Sequence, residues 1–249
     1  MGVFLWARYL MSFVLLPLVF PLGRKVRNTI LRMPEAPGKR EGIVGSGTPN
    51  MSIVCLGESP VAGVGLSNQT ENFTPIFAQK VHQYTQKAVE WHILGKKGIR
   101  MAELLPTFGD EFPEEADIVF IGMGVNDCKE GTSMSNWREQ WLALHGHLRR
   151  LYPNALIICS SAPPLISFPA LPFPVRVFLG YRSDLMNEIL RVSVMPLDEK
   201  TMYLPLPSIL APKYFAYDGF HPNAIAHKEW GDGIFDAIVE REDIIIVEE

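Results

Sequence analysis

Three short runs, 52–56 (SIVCL), 117–122 (DIVFIG) and 155–160 (ALIICS), constrain this chain more than any other feature. They lack the polar alternation of a strand with one wet face, so each reads as a strand buried on both sides. Strands of that kind belong to parallel sheets with helices packed on both faces. The intervening sequence supplies the helices. Residues 72–85 place Phe73, Ile76, Phe77, Val81 and Tyr84 at helical spacing behind the cap residue Asn72. Further helical patterns cover 101–105, 135–151, 182–194 and 224–241, the last behind Asn223, while 89–94 and 202–204 read as two more strands. Strands alternating with helices give βαβ units and an α/β fold. Its functional residues belong where strand ends meet loops, at the carboxyl edge of the sheet.

Three such loops carry chemistry. The first strand runs into Gly57-Glu58-Ser59-Pro60, which puts a serine on a turn just past a buried strand, as an exposed nucleophile requires. The third ends in Gly122-Met123-Gly124-Val125-Asn126-Asp127, where an Asn side chain can donate to a developing oxyanion. Asp218-Gly219-Phe220-His221 precedes the final helix, and an acid three residues before a His can orient its imidazole as a base. Each alone also reads as an ordinary turn or cap. Together they supply the set needed for acyl transfer.

With these blocks the chain resembles the SGNH hydrolases, the GDSL-type esterases and lipases. The matching pieces are Gly57-Glu58-Ser59, Gly98 within Gly95–Arg100, Gly124-Val125-Asn126-Asp127 and Asp218–His221, in family order over residues 51–237. The resemblance implies a flavodoxin-like three-layer α/β/α fold with a central parallel sheet of order 2-1-3-4-5. It implies Ser59 as nucleophile, His221 as base and Asp218 as its orienting acid. The oxyanion hole would be the N–H groups of Ser59 and Gly98 with the Asn126 side chain. Glu58 stands where the family usually has Asp, Pro60 where Leu is common, and Arg100 where Thr is frequent. No cofactor or metal is implied. A catalytically silent lipid- or glycan-binding module on the same fold is the alternative.

Charge adds a location. The net charge of −4 conceals +6 over the first 40 residues and −10 over the rest. Residues 9–23 are uncharged, 3–22 are long enough to span a bilayer if Arg8 pairs or snorkels, and Arg24, Lys25, Arg27 and Arg32 follow. Residues 1–32 therefore read as an apolar membrane anchor with a basic flank. No small-residue cleavage site marks it as a removable leader. The basic flank places the body on the cytoplasmic side. Residues 33–50 lack periodicity and read as a linker, leaving 51–249 as the catalytic domain. An acidic body argues against nucleic-acid binding.

Cys55 and Cys159 lie in apolar runs and read as buried thiols. His145 and His147 are two apart on a helix, a poor metal pair, and His82, His92 and His227 read as helix or surface residues. Residues 163–181 hold five prolines and four aromatics beside the expected catalytic edge. They suit either a buried crossover or a lid that admits an acyl chain. The substrate is an acyl lipid or an acetylated carbohydrate, and the sequence leaves the two equal.

Overall fold

The computed structural model describes residues 2–241. The end of the expected catalytic domain, 242–249, lies outside them. The strands are β1 (Glu41–Val44), β2 (Met51–Gly57), β3 (Val89–Gly95), β4 (Ile118–Gly122), β5 (Leu156–Ser160) and β6 (Thr201–Leu204). They form one sheet of order β1-β3-β2-β4-β5-β6. All pairs are parallel except β1 with β3, so β2 to β6 take the 2-1-3-4-5 order, with one antiparallel strand added at the edge.

Alternate residues of the same strands face two different cores. Val54, Leu56, Val119, Ile121 and Ile157 pack under α4 (Met101–Phe108), α5 (Val125–Glu130), α6 (Met134–Leu151) and α7 (Val175–Val194). Ile53, Cys55, Phe120 and Ile158 pack under α3 (Phe73–Thr85) and α8 (Ala224–Glu240). That two-sided burial explains the unbroken apolar runs. Trp137 and Trp141 of α6 are completely buried, each contributing on the order of 2–3 kcal/mol of transfer free energy. The helix starts are capped as the sequence suggests: Asn72 Oδ1 accepts from Thr74 N–H at 3.1 Å, and Asn223 Oδ1 from Ala226 N–H at 3.1 Å.

Two expectations need correction. The stretch 33–50 contributes β1, and Met33 and Ala36 are buried while Glu35 pairs with Arg40. A four-residue edge strand with no fully buried position leaves no apolar signature. Helix α7 begins at Val175, seven residues before the expected 182. Its first two turns look unperiodic because they touch neighbours on several sides. Phe178 meets Tyr9 and Phe13, and Gly180 runs against Ile166, only 2.9 Å from where its Cβ would be.

The N-terminal residues form α1 (Gly2–Met11), a 3-10 turn (Ser12–Leu15) and α2 (Leu16–Thr29). Among the described residues this is the one helix long and apolar enough to cross a membrane. One face docks on the body through buried Tyr9 and Ser12 and partly buried Leu22 and Val26. Arg8 is paired with Asp184 of α7, as a charge in an apolar segment requires. The opposite face exposes Val3, Phe4, Leu10, Met11, Val14, Leu18 and Phe20.

Candidate active site

Parallel register brings Gly95, Gly57, Gly122 and Ser160 into one row at the carboxyl edge. Gly57 must be glycine: a Cβ there would stand 2.4 Å from the Gly122 carbonyl oxygen. The chain then turns tightly, Val64 N–H donating to the Ser59 carbonyl at 2.9 Å and Ala62 N–H to that of Glu58 at 3.1 Å. Ser59 sits on this turn, 7% exposed. Gly65 has φ +107°, and a Cβ would come within 2.3 Å of the Pro222 carbonyl. This close approach presses the serine loop against the histidine loop.

The histidine loop is fixed by Asn223, whose Nδ2 donates to the carbonyls of Lys213 (2.8 Å) and Phe215 (3.1 Å). Asp218, its side chain wholly buried, accepts at Oδ2 from His221 Nδ1 at 2.6 Å. Its Oδ1 accepts from the N–H groups of Phe220 (2.9 Å) and His221 (3.0 Å). Burial alone would raise the Asp218 pKa, but these three donors outweigh it and hold the carboxyl below its ordinary value. An ionised carboxylate only accepts, so a proton lies on Nδ1, and in the neutral ring Nε2 is the nitrogen with the lone pair.

Ser59 and His221 line one cavity of about 440 Å³. Its walls are mostly apolar: Phe168 from the proline-rich insert, Leu204 at the end of β6, Leu206 and Leu210 from the segment after it, and Phe215 and Phe220. The insert divides in function. Leu165, Phe168 and Leu171 are buried, Ile166 and Phe173 are exposed, and from Val175 the chain is helical. Residues 205–212, with the same proline and leucine signature, form the opposite wall and passed unnoticed in the sequence.

The remaining expected residues, Asn126 and Gly98, do not line the cavity. Asn126 is buried in the first turn of α5. Its Nδ2 donates both hydrogens inside the protein, to Glu58 Oε2 at 2.5 Å and to the Ile99 carbonyl at 3.0 Å. Gly98 lies next to that carbonyl on an exposed turn with φ +81°. Glu58, 2% exposed, also accepts from the N–H groups of Val125 (2.7 Å) and Asn126 (3.0 Å), two of the four that a helix start leaves unpaired. Burial pushes its carboxyl up to about 7, with those N–H groups opposing the rise. The other end of α5 is held by Arg182, whose Nε donates to the Cys128 carbonyl at 3.0 Å and whose Nη2 donates to that of Thr132. No sequence motif pointed to Arg182.

The other titratable candidates lie elsewhere. His227, expected on a helix or the surface, is fully buried in α8, accepting from Phe73 N–H at 3.2 Å, and burial lowers its pKa to about 3. His145 bonds Thr201 Oγ1 at 2.8 Å while His147 faces Phe112. All three cysteines are free and buried, their thiols pushed well above the ordinary range by desolvation.

The fold is shared with several solved esterases. A carbohydrate esterase family 2 enzyme with a carbohydrate binding domain, from Corynascus thermopiles (Myceliophthora fergusii), is 14% identical with a TM-score of 0.63, over 81% of this chain and 68% of its own. A lipase from a goat rumen metagenome is 15% identical with a TM-score of 0.60, over 76% of this chain and 97% of its own. An acetyl xylan esterase from the rumen bacterium Butyrivibrio proteoclasticus is 12% identical with a TM-score of 0.52, over 80% and 66%. No curated protein matches the sequence at a significant level. The family model for GDSL-like lipases and acylhydrolases matches residues 55–229, from inside β2 into α8 and so across both the Ser59 loop and the His221 loop. The chain therefore belongs to the GDSL-like lipase/acylhydrolase family and is a carboxylic ester hydrolase.

Proposed function

We propose that the protein cleaves the ester of an acyl chain longer than acetyl, with Ser59 as nucleophile, His221 as base and Asp218 as its orienting acid. The observation that carries this is the cavity itself: Ser59 and His221 open into walls built mostly of Phe, Leu and Pro, with Ser161, Tyr214 and Glu229 as the few polar side chains beyond the serine loop. His221 Nε2 takes the Ser59 hydroxyl proton as Oγ bonds to the ester carbonyl carbon. The tetrahedral intermediate collapses, its C–O bond breaks, and the leaving alcohol receives that proton from Nε2. Water, deprotonated by the same nitrogen, then releases the acid and restores Ser59. The N–H groups of Ser59 and Gly98 and the Asn126 amide would receive the oxyanion. Asn126 can do so only by exchanging its bond to Glu58 or to Ile99.

The N-terminal helix supports a membrane setting for this substrate. With one face docked on the body and the other apolar and exposed, it suits the bilayer interface better than a free crossing. Exposed Arg24, Lys25, Arg27 and Arg32 then favour the anionic cytoplasmic leaflet.

A p-nitrophenyl ester series from acetyl to dodecanoyl, run with fluorophosphonate labelling, tests the reading. Activity should peak beyond acetyl, and Ser59→Ala should lose labelling and at least about 10⁴-fold in kcat. A peak at acetyl sinks the acyl-chain assignment. An unlabelled but acyl-binding protein would be the silent module.

A further inference from the structure

Arg182 is 6% exposed in the middle of α7, yet among the described residues its guanidinium meets no carboxylate. A buried charge without a counter-ion is costly unless its donors are all met. Here each of its three nitrogens donates once: Nε and Nη2 to the carbonyls of Cys128 and Thr132, around the C-terminal end of α5, and Nη1 to the phenol oxygen of Tyr9 at 2.6 Å. The last carbonyls of a helix lack partners within it, and its C-terminus attracts a positive charge. Arg182 answers both needs.

Helix α5 carries Asn126 and is thus held by side chains at both ends, Glu58 from the serine loop and Arg182 from α7. Tyr9 completes the Arg182 site from α1. Its ring is fixed edge-on to Phe13, with centroids 5.1 Å apart, and against Phe178 at 5.8 Å. Arg27 of α2 reaches Glu130 at 4.0 Å, a second and weaker contact between the N-terminal helix and α5. We propose that Tyr9 and Arg182 are positioning residues through which the N-terminal helix sets the position of Asn126 relative to Ser59. The same helix then attaches the protein to its membrane and tunes the oxyanion hole. This rests on the roles given above to Ser59 and Asn126.

The test uses the full chain and p-nitrophenyl acetate, a substrate too short to need the apolar walls. Tyr9→Phe removes one hydrogen bond and keeps the ring; Arg182→Lys keeps the charge but loses the planar fork. Tyr9→Phe should lower kcat about threefold and Arg182→Lys about tenfold, with KM within about twofold of wild type. Each is also made beside Asn126→Ala, where neither should lower kcat further, since the group they position is gone. Equal losses on both backgrounds, or unchanged kcat in both single variants, overturn the proposal. Tyr9→Phe carries the test if Arg182→Lys does not fold. Wild-type protein that neither turns over the ester nor labels at Ser59 would overturn the catalytic reading instead.

Discussion

The two sides of the cavity are built by opposite means. Behind Ser59, Glu58 accepts three hydrogen bonds and Asn126 donates two from one nitrogen, while Asp127 fixes Met101 N–H at 2.9 Å and Thr132 Oγ1 at 2.7 Å. Facing it, Phe168 stacks edge-on with Phe215 and Phe220, and leucines and prolines complete the wall. Hydrogen bonds are directional and fix atoms to tenths of an ångström; apolar contact fixes volume and little else. The bonded side can therefore place charges for a reaction, and the apolar side can choose how long a chain enters. His221 sits where they join, with Asp218 on its ring and Phe220 beside it at 5.2 Å.

The sharpest break in this division is Asn126→Ala. In the proposed mechanism Asn126 is an oxyanion donor; removing one costs about 10²–10³ in kcat, and the loss should be the same for acetyl and octanoyl esters because the donor sees the carbonyl and not the chain. Steady-state kinetics on both esters decides it. A loss confined to one chain length would mean that the bonded side also selects substrate.

Glu58→Gln probes the same side by stability. The Glu58 carboxyl lies near 7 when folded and near 4.5 when unfolded, chiefly through burial, with Asp127 adding to the rise and Lys129 opposing it. Between those values the folded state holds the extra proton, so this group's contribution is present at acid pH and is lost as pH rises through 7. Wild type should lose up to about 3 kcal/mol relative to Glu58→Gln between pH 4.5 and 8, read by urea unfolding of both proteins. Parallel profiles would show that Glu58 stays ionised throughout.

The apolar runs of β2, β4 and β5 were legible because burial on both faces leaves no room for polar residues. The candidates Ser59, Asp218 and His221, which the fold brings together, could be picked out because a loop leaving a strand, or entering a helix, carries its polar side chains in consecutive letters. The frame around them was not. Glu58 meets Asn126 across 68 positions, and Arg182 meets Tyr9 across 173. Neither pair has a local pattern, and a buried arginine looks like a surface one until its partners are placed. Strand β1 was too short and too exposed to mark itself, and the start of α7 lost its period to Tyr9, Phe13 and Ile166.

The smallest expected effect falls on the apolar side and is the most selective. Leu210 is partly buried and lines the cavity, its N–H taken by Ser167 Oγ at 3.2 Å. Leu210→Ala leaves that backbone bond intact and removes three carbons of wall. Chain-length discrimination by a methylene or two in an apolar pocket is worth about 1–3 kcal/mol. kcat/KM for the octanoyl ester should therefore fall about tenfold while that for acetyl stays within about twofold. The two sides then separate by a ratio, since Asn126→Ala moves both esters together and Leu210→Ala moves them apart. Equal losses for both esters in Leu210→Ala would show that this wall positions His221 rather than the chain.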